Sequence, residues 1–503
     1  MANGGQMRKK KTIIIINDAG GSIAAMHARS QNDQAKIILI EKNDNTSSKL
    51  SLNNDFNIDV MLKTSPLKLD MESNFLHIAT SSNKHERLSF DAMVYACTWS
   101  KSYRNSDKCF SFPAEKEEII NQIKLGAKKA IVVGANFCGL QAAGWLKSLN
   151  LSVKMIDESS RILDGFSLPI SSSILKLLEK LSIDVMLNKK LASLKDNFDL
   201  VIDCLNNLPD LSLLVNAGAA FDERGHLRID EHMRTTLPNI YACGYAIMAP
   251  YLGHSKSKEV NNPFILNEMA RMAGINAASD SKNNLLKIKP FMGTRLLMLG
   301  DLIYARTGLS EGEAKKSLGF EGVLMVSSIK NSHMYIRMLI DISSQAIIGA
   351  EIMGNKESRR IIDLLACSVR DRWHPDRLCT LDLASDVYDD DCNEELKEVA
   401  QRAALALDGK LKILDASTLA FWIKEKRNFK LVEISEHYEM DKAFSLNMTG
   451  LKMQAIKWQE EGLPVVLYGK LSPKNLLAQQ ILNNIGLPDI FWLDGGQDQL
   501  RIA

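Results

Sequence analysis

Residues 11–30, KTIIIINDAGGSIAAMHARS, decide the fold at the start of the chain. Ile13 to Ile16 form an unbroken apolar run of the kind that is covered on both faces in a parallel sheet. After the turn, Ala24, Ala25 and Ala28 recur at helical spacing, and side chains this small let a helix lie close to the strand. Strand, glycine-bearing turn and helix in this order make a cradle for a dinucleotide pyrophosphate, which backbone N–H groups at the helix N-terminus receive. Gly20 and Gly21 supply small residues for such a turn. Its first glycine position is Ile16, whose branched Cβ is expected to obstruct both the tight turn and the approach of a phosphate. The next strand, AKIILIE (35–41), ends in Glu41, about 20 residues past the glycines, where a ribose-binding carboxylate belongs.

The pattern recurs in residues 128–158, KKAIVVGANFCGLQAAGWLKSLNLSVKMIDE. Gly134 and Gly139 hold the outer positions of G-x-G-x-x-G, with Asn136 in the middle. Asp157 closes the following strand as the candidate acceptor for a ribose hydroxyl. A repeat with strand, helix and terminal acid in register implies two Rossmann-type domains. The middle glycine of the motif lets the backbone approach a pyrophosphate, and Asn136 carries a side chain into that space.

Composition bounds the remaining possibilities. A chain of 503 residues is long enough for several domains, and a net charge of +2 argues against a dedicated nucleic-acid binder. No apolar run reaches the roughly 18 residues of a membrane span. The eight cysteines include no CxxC pair, which fits a reducing compartment, so a cytoplasmic protein is expected. Cys138 and Cys243 are expected as small buried residues, and Trp422, Trp458 and Trp492 as core. The acidic run Asp386, Asp389, Asp390, Asp391, Glu394 and Glu395 lacks EF-hand spacing and reads as the solvated start of a helix; no metal site is expected.

The order of elements resembles the flavin-dependent pyridine nucleotide-disulfide oxidoreductases, in particular the coenzyme A-disulfide and persulfide reductases with a fused rhodanese domain. Residues 19–42 are similar to that family's first flavin-binding unit, and FDAMVYACT (90–98) to its strand ending in A-T-G. DLVIDCLNNLPD (199–210) resembles the strand leading out of the nicotinamide domain, and LPNIYACGYA (237–246) the I-Y-A-x-G-D-A flavin segment. Residues 338–366 look like the dimerisation domain. KLVEISEHYE (430–439), LPVVLYGKLSPKNLLAQQIL (463–482) and FWLDGG (491–496) resemble a rhodanese tail.

What the resemblance implies about fold is an α/β chain: an FAD-binding-like domain (1–108 and 240–283), an NAD(P)-binding-like domain (109–239), an α+β dimerisation domain (284–405) and a rhodanese-like domain (406–503). A homodimer follows from it. What it implies about chemistry is contradicted at the reactive positions. The family's redox cysteine corresponds to Ser51, and the persulfide cysteine of the rhodanese loop to Gly469. Neither residue can form the mixed disulfide or persulfide that the chemistry requires. The flavin-site Asp becomes Tyr245, the A-T-G glycine becomes Thr98, Gln141 stands where the family often has Glu, and Asn206 replaces a glycine. The cofactor-binding positions carried over are Gly20, Gly21 and Glu41 for FAD, and Gly134, Gly139 and Asp157 for NAD(P)H. The expectation is a catalytically degenerate homologue in a binding, scaffolding or regulatory role. The alternative is an active FAD- and NAD(P)H-dependent oxidoreductase that works without the redox cysteine.

Overall fold

A computed structural model describes residues 10–17, 20–42, 50–82, 84–97, 108–112, 115–191, 197–205, 210–254, 257–260, 262–281, 283–330, 334–384, 391–433, 444–445, 448–469, 473–487 and 489–495. The chain divides into two compact units, the first formed by Met1–Asn105 and Leu205–Phe291, the second by Ser106–Cys204 and Met292–Ala503.

The first unit is built on the quoted stretch. Strand β1 (Thr12–Asn17) leads to helix α1 (Gly21–Gln31) and strand β2 (Lys36–Glu41). β1 lies at the centre of a five-stranded parallel sheet in the order Ile240–Gly244, Ala92–Cys97, β1, β2, Asp59–Met61. Ile13, Ile14 and Ile15 are wholly buried, as a central parallel strand requires. Helix Pro263–Ala278 packs on α1 so tightly that a Cβ on Gly274 would lie 2.1 Å from the Ala24 carbonyl oxygen. Beside the sheet, Ser65–Asp70, Phe75–Ala79 and His85–Ser89 form an antiparallel three-stranded layer.

Residues 210–239 depart from the expectation that places them in the NAD(P)-binding-like domain. Leu213, Leu214, Leu227 and Met233 are buried in the core of the first unit, and that burial assigns the segment there.

The second unit repeats the same local design. Strand β3 (Lys129–Val133) runs into helix α2 (Phe137–Ser148) and strand β4 (Ser152–Ile156), and strand β5 (Leu200–Asp203) pairs with β3 on its other side. Asp184–Met186 and Cys109–Ser111 complete a five-stranded parallel sheet. An antiparallel sheet follows, made by Arg295–Leu299, β6 (Leu302–Gly308), β7 (Val323–Lys330), β8 (Met334–Asp341) and β9 (Ala346–Gly354), with helix α3 (Asp391–Leu407) packed against it. The chain ends in a smaller parallel sheet centred on β10 (Val465–Tyr468) and β11 (Ile490–Leu493). Trp422, Trp458 and Trp492 are buried there as expected, and the Trp492 indole N–H donates to Gln479 Oε1 at 2.5 Å. No helix among the described residues is long and apolar enough to cross a membrane.

Charged side chains buried in the antiparallel sheet anchor its neighbours. Glu351 stands opposite Arg306 on one side and Arg337 on the other, and its carboxylate accepts the Ser167 backbone N–H at 3.1 Å. Arg306 donates to the Gly165 carbonyl at 2.6 Å, and Arg337 to Glu311 at 2.8 Å. The bonds to Ser167 and Gly165 tie the loop 164–167 of the second Rossmann-type fold to the antiparallel sheet, and Glu311 pairs the buried Arg337, since a buried charge is costly unless paired.

The close approach at Gly274 predicts that Gly274→Ala destabilises the first unit by about 1–3 kcal/mol through overpacking. Gly312→Ala, in a helix where an added Cβ meets nothing within 4 Å, is expected to stabilise by about 0.4–1 kcal/mol. Denaturant midpoints of the two variants against the parent chain check both.

Candidate functional site

At the first cradle the chain does not turn where the sequence implies. Ile16 is an extended residue inside β1, paired with Ile40 on β2 and Tyr95 on the strand Ala92–Cys97, and it is 6% exposed. Its branched side chain therefore strains nothing; it lengthens the strand and adds to the apolar core, which corrects the expectation of an obstructed backbone turn. The left-handed residue comes later, at Gly20 with φ 89°, and Gly21 is buried at the start of α1. A Cβ on Gly20 would touch the Cβ of Ala270 at 3.0 Å, so that glycine also serves the packing of helix Pro263–Ala278. Glu41 ends β2 opposite Asn17 and is 4% exposed, with its carbonyl accepting the Thr64 N–H at 2.9 Å. Tyr245 packs against the same core, where a flavin-site carboxylate is expected. Ser51 lies in helix Leu50–Phe56 rather than in a loop. Its side chain, Thr98 and Asn206 lie outside the described residues.

The second cradle is preserved in backbone. Gly134 turns with φ 111°, and a Cβ there would lie 3.2 Å from the Cys204 carbonyl oxygen. A Cβ on Gly139 would fall 1.8 Å from the Gly134 carbonyl oxygen, so only glycine lets α2 pack on the turn. Asn136 is the N-cap of α2. Its Oδ1 accepts the Gly139 N–H at 3.0 Å, and its Nδ2 donates to the Cys204 carbonyl at 2.7 Å. The carboxylate of Asp157 is turned onto the same loop: one oxygen accepts the Ala135 N–H at 2.5 Å and the other the Ser159 N–H at 2.6 Å. The two side chains thus bond the turn from within. Asn directly before a helix is itself an N-cap signal, so the sequence carried a reading of Asn136 that the motif comparison overlooked.

Cys138, expected as buried, is half-buried and donates to the Phe112 carbonyl at 3.0 Å, and Cys204 is buried. Cys243 is fully buried as expected, and burial pushes its thiol up to about 12. In the C-terminal domain, Gly469 follows β10 with φ 135°, and its carbonyl accepts from Arg402 of α3 at 2.9 Å. Arg402 also pairs with Glu398 at 2.7 Å, and both side chains are buried. Glu395 is likewise buried and accepts from the Ser328 hydroxyl, which corrects the expectation of a wholly solvated acidic start to α3. Asp386, Asp389 and Asp390 lie outside the described residues, and Asp391 opens α3. No group of three or more metal-ligating side chains occurs among the described residues.

The chain thus carries two glycine-turn folds of the Rossmann type in series. Residues 19–260 match the model of the pyridine nucleotide-disulphide oxidoreductase family. A coenzyme A disulfide reductase of Staphylococcus haemolyticus is 24% identical over 278 residues, which cover 51% of this chain and 62% of that protein. An NAD-dependent persulfide reductase from A. fulgidus superposes with a TM-score of 0.81 at 20% identity, covering 96% of this chain and 99% of that one. The reduced CoADR-RHD of Bacillus anthracis superposes with a TM-score of 0.85 at 17% identity, covering 98% of both chains. At these identities the two structures establish the fold over almost the whole length.

Removing the cap should separate the two roles of residue 136. Asn136→Ala is expected to cost about 1–2 kcal/mol and Asn136→Gly measurably less, because glycine leaves the helix amides open to water. Urea unfolding of the two variants side by side checks the order.

Proposed function

We propose that this chain is a catalytically degenerate relative of the flavin-dependent coenzyme A-disulfide and persulfide reductases, retained as a binding, scaffolding or regulatory protein. The observation that carries the reading is the second cradle, where Asn136 and Asp157 spend their polar atoms on the chain's own backbone. Neither FAD nor NAD(P)H is well served by the residues present. The first cradle places Ile16 in the core and a tyrosine ring in place of an acceptor, and the second fills its turn with an amide side chain. The reacting sulfurs are absent as well, since Ser51 and Gly469 stand at their positions. In this reading residues 406–503 are a rhodanese-like domain without sulfur transfer. Residues 284–405 form the dimerisation domain of a homodimer, and the partner is a protein rather than a nucleic acid or a membrane.

The second reading is an oxidoreductase that uses FAD and NAD(P)H without a redox cysteine. The left-handed Gly20 and the acid Glu41 at the end of β2, both kept in place, favour it. Steady-state oxidation of NADH and NADPH, with added FAD and either coenzyme A disulfide or a persulfide as acceptor, separates the two. The degenerate protein gives no turnover above the protein-free blank, and Ser51→Cys does not restore it. Saturable turnover by the parent chain would establish the oxidoreductase instead.

A further inference from the structure

Neighbouring strands of the antiparallel sheet carry, in register, a row of residues that crosses it from β6 to the edge strand β7. Arg306 stands opposite Glu351, Glu351 opposite Arg337, and Arg337 opposite Ser327. Residues paired in this way share one face of the sheet, so their side chains form a line across it. Each end of the line reaches a different fold. At one end Arg306 donates to the Gly165 carbonyl at 2.6 Å, and Glu351 accepts the Ser167 N–H at 3.1 Å. At the other the Asp494 carboxylate takes the Ser327 N–H and hydroxyl, while the Ser327 carbonyl accepts the Gly495 N–H at 3.2 Å. Glu351, Ser327 and Asp494 are all buried.

The loop held by Arg306 and Glu351 rests in turn on the second cradle. The Leu163 N–H donates at 3.0 Å to the carbonyl of Ala135, inside the turn between Gly134 and Gly139. The Phe166 ring lies 5.6 Å from that of Phe137, the first residue of α2. Gly165 turns with φ 95°, and a Cβ there would fall 2.7 Å from Arg306 Nη1, so this glycine gives the guanidinium its approach to the carbonyl.

We propose that the row is a conformational relay, through which a rearrangement at the turn of the second cradle reaches the junction with the C-terminal domain, and the reverse. It does not depend on whether either cradle holds a ligand. Charge alternates along the line from Arg306 to Glu351 to Arg337, and Asp494 continues it beyond Ser327; in a buried site each charge is held by its neighbours. If the loop 164–167 lifts, Arg306 loses the Gly165 carbonyl and Glu351 loses the Ser167 N–H together, and a buried charge left unpaired is costly. The two then turn to each other, the hold of Glu351 on Arg337 weakens, and Arg337 is freed to draw on Asp494. Burial raises the Asp494 carboxyl, and Arg337 is among the groups that oppose the rise, after the Ser327 bonds. A carboxylate drawn toward Arg337 gives up the Ser327 N–H, which loosens the end of β11. Packed buried bonds change as a set rather than by degrees, as a relay requires.

Hydrogen–deuterium exchange of the full chain at neutral pH, read on its peptides by mass spectrometry, tests this with variants at each end of the row. Ser327→Ala, which removes the hydroxyl bond to Asp494, is expected to raise exchange severalfold in the loop 159–167, which it does not touch. Ser328→Ala is the comparison: the next residue on β7 faces the other side of the sheet, where its hydroxyl bonds Glu395, and it should leave that loop unchanged. In the reverse direction Gly165→Ala should raise exchange severalfold in residues 489–495. A β1 peptide, in the other unit, reports any general unfolding. Should Ser327→Ala unfold the second unit, Asp494→Asn, which keeps an acceptor and the shape of the side chain, carries the same expectation. Exchange that rises only around each substituted residue would overturn the relay, and so would an equal rise of the loop in both serine variants.

Discussion

Two helices in this protein lie closer to backbone than any side chain allows. Helix α2 rests on the Gly134 carbonyl through Gly139, and helix Pro263–Ala278 rests on the Ala24 carbonyl through Gly274. Each Rossmann-type fold depends on such a contact, because the helix cannot cover its parallel sheet at a greater distance without opening voids in the core. The glycines that meet this constraint are present. At the positions where the resemblance implies ligand-serving glycines, Asn136 caps α2 and Ile16 continues β1. The proposed degenerate role reads this as a fold kept for its shape.

In the C-terminal domain, Gly469 follows β10 and a buried guanidinium from α3 binds its carbonyl. The end of the neighbouring strand β11 is joined to the antiparallel sheet by Asp494, whose carboxylate accepts the Ser327 N–H at 2.5 Å and the Ser327 hydroxyl at 2.7 Å. Asp494 is fully buried, and burial raises its pKa even though the Ser327 bonds and the guanidinium groups of Arg337 and Arg402 oppose the shift. Buried charges held in fixed pairs make a defined junction rather than a strong one, since desolvation offsets much of the Coulomb gain.

Much of this was legible in the sequence, and the physical reasons for the rest are specific. Ile13 to Ile15 read as a covered parallel strand and are one, and Glu41 and Asp157 fall at strand ends because the two-residue and 3.6-residue periods change there. What could not be read were contacts between distant segments. The Asp157 carboxylate turns onto Ala135, Asn136 meets the Cys204 carbonyl, and Leu213 and Leu227 enter the core of the first unit. No local pattern records any of these. Glu395 was misread for a related reason: an acid near a helix start suits the helix dipole whether or not that face is covered, and here Ser328 covers it.

The most direct measurement is the visible absorption spectrum of the chain purified without added cofactor, followed by unfolding and assay of any released flavin. Cradles kept for packing give a folded, colourless protein that releases no flavin and does not take it up on incubation with FAD. A yellow protein carrying one flavin per chain would contradict that directly and would require Ile16 and Tyr245 to stand clear of the bound ring system.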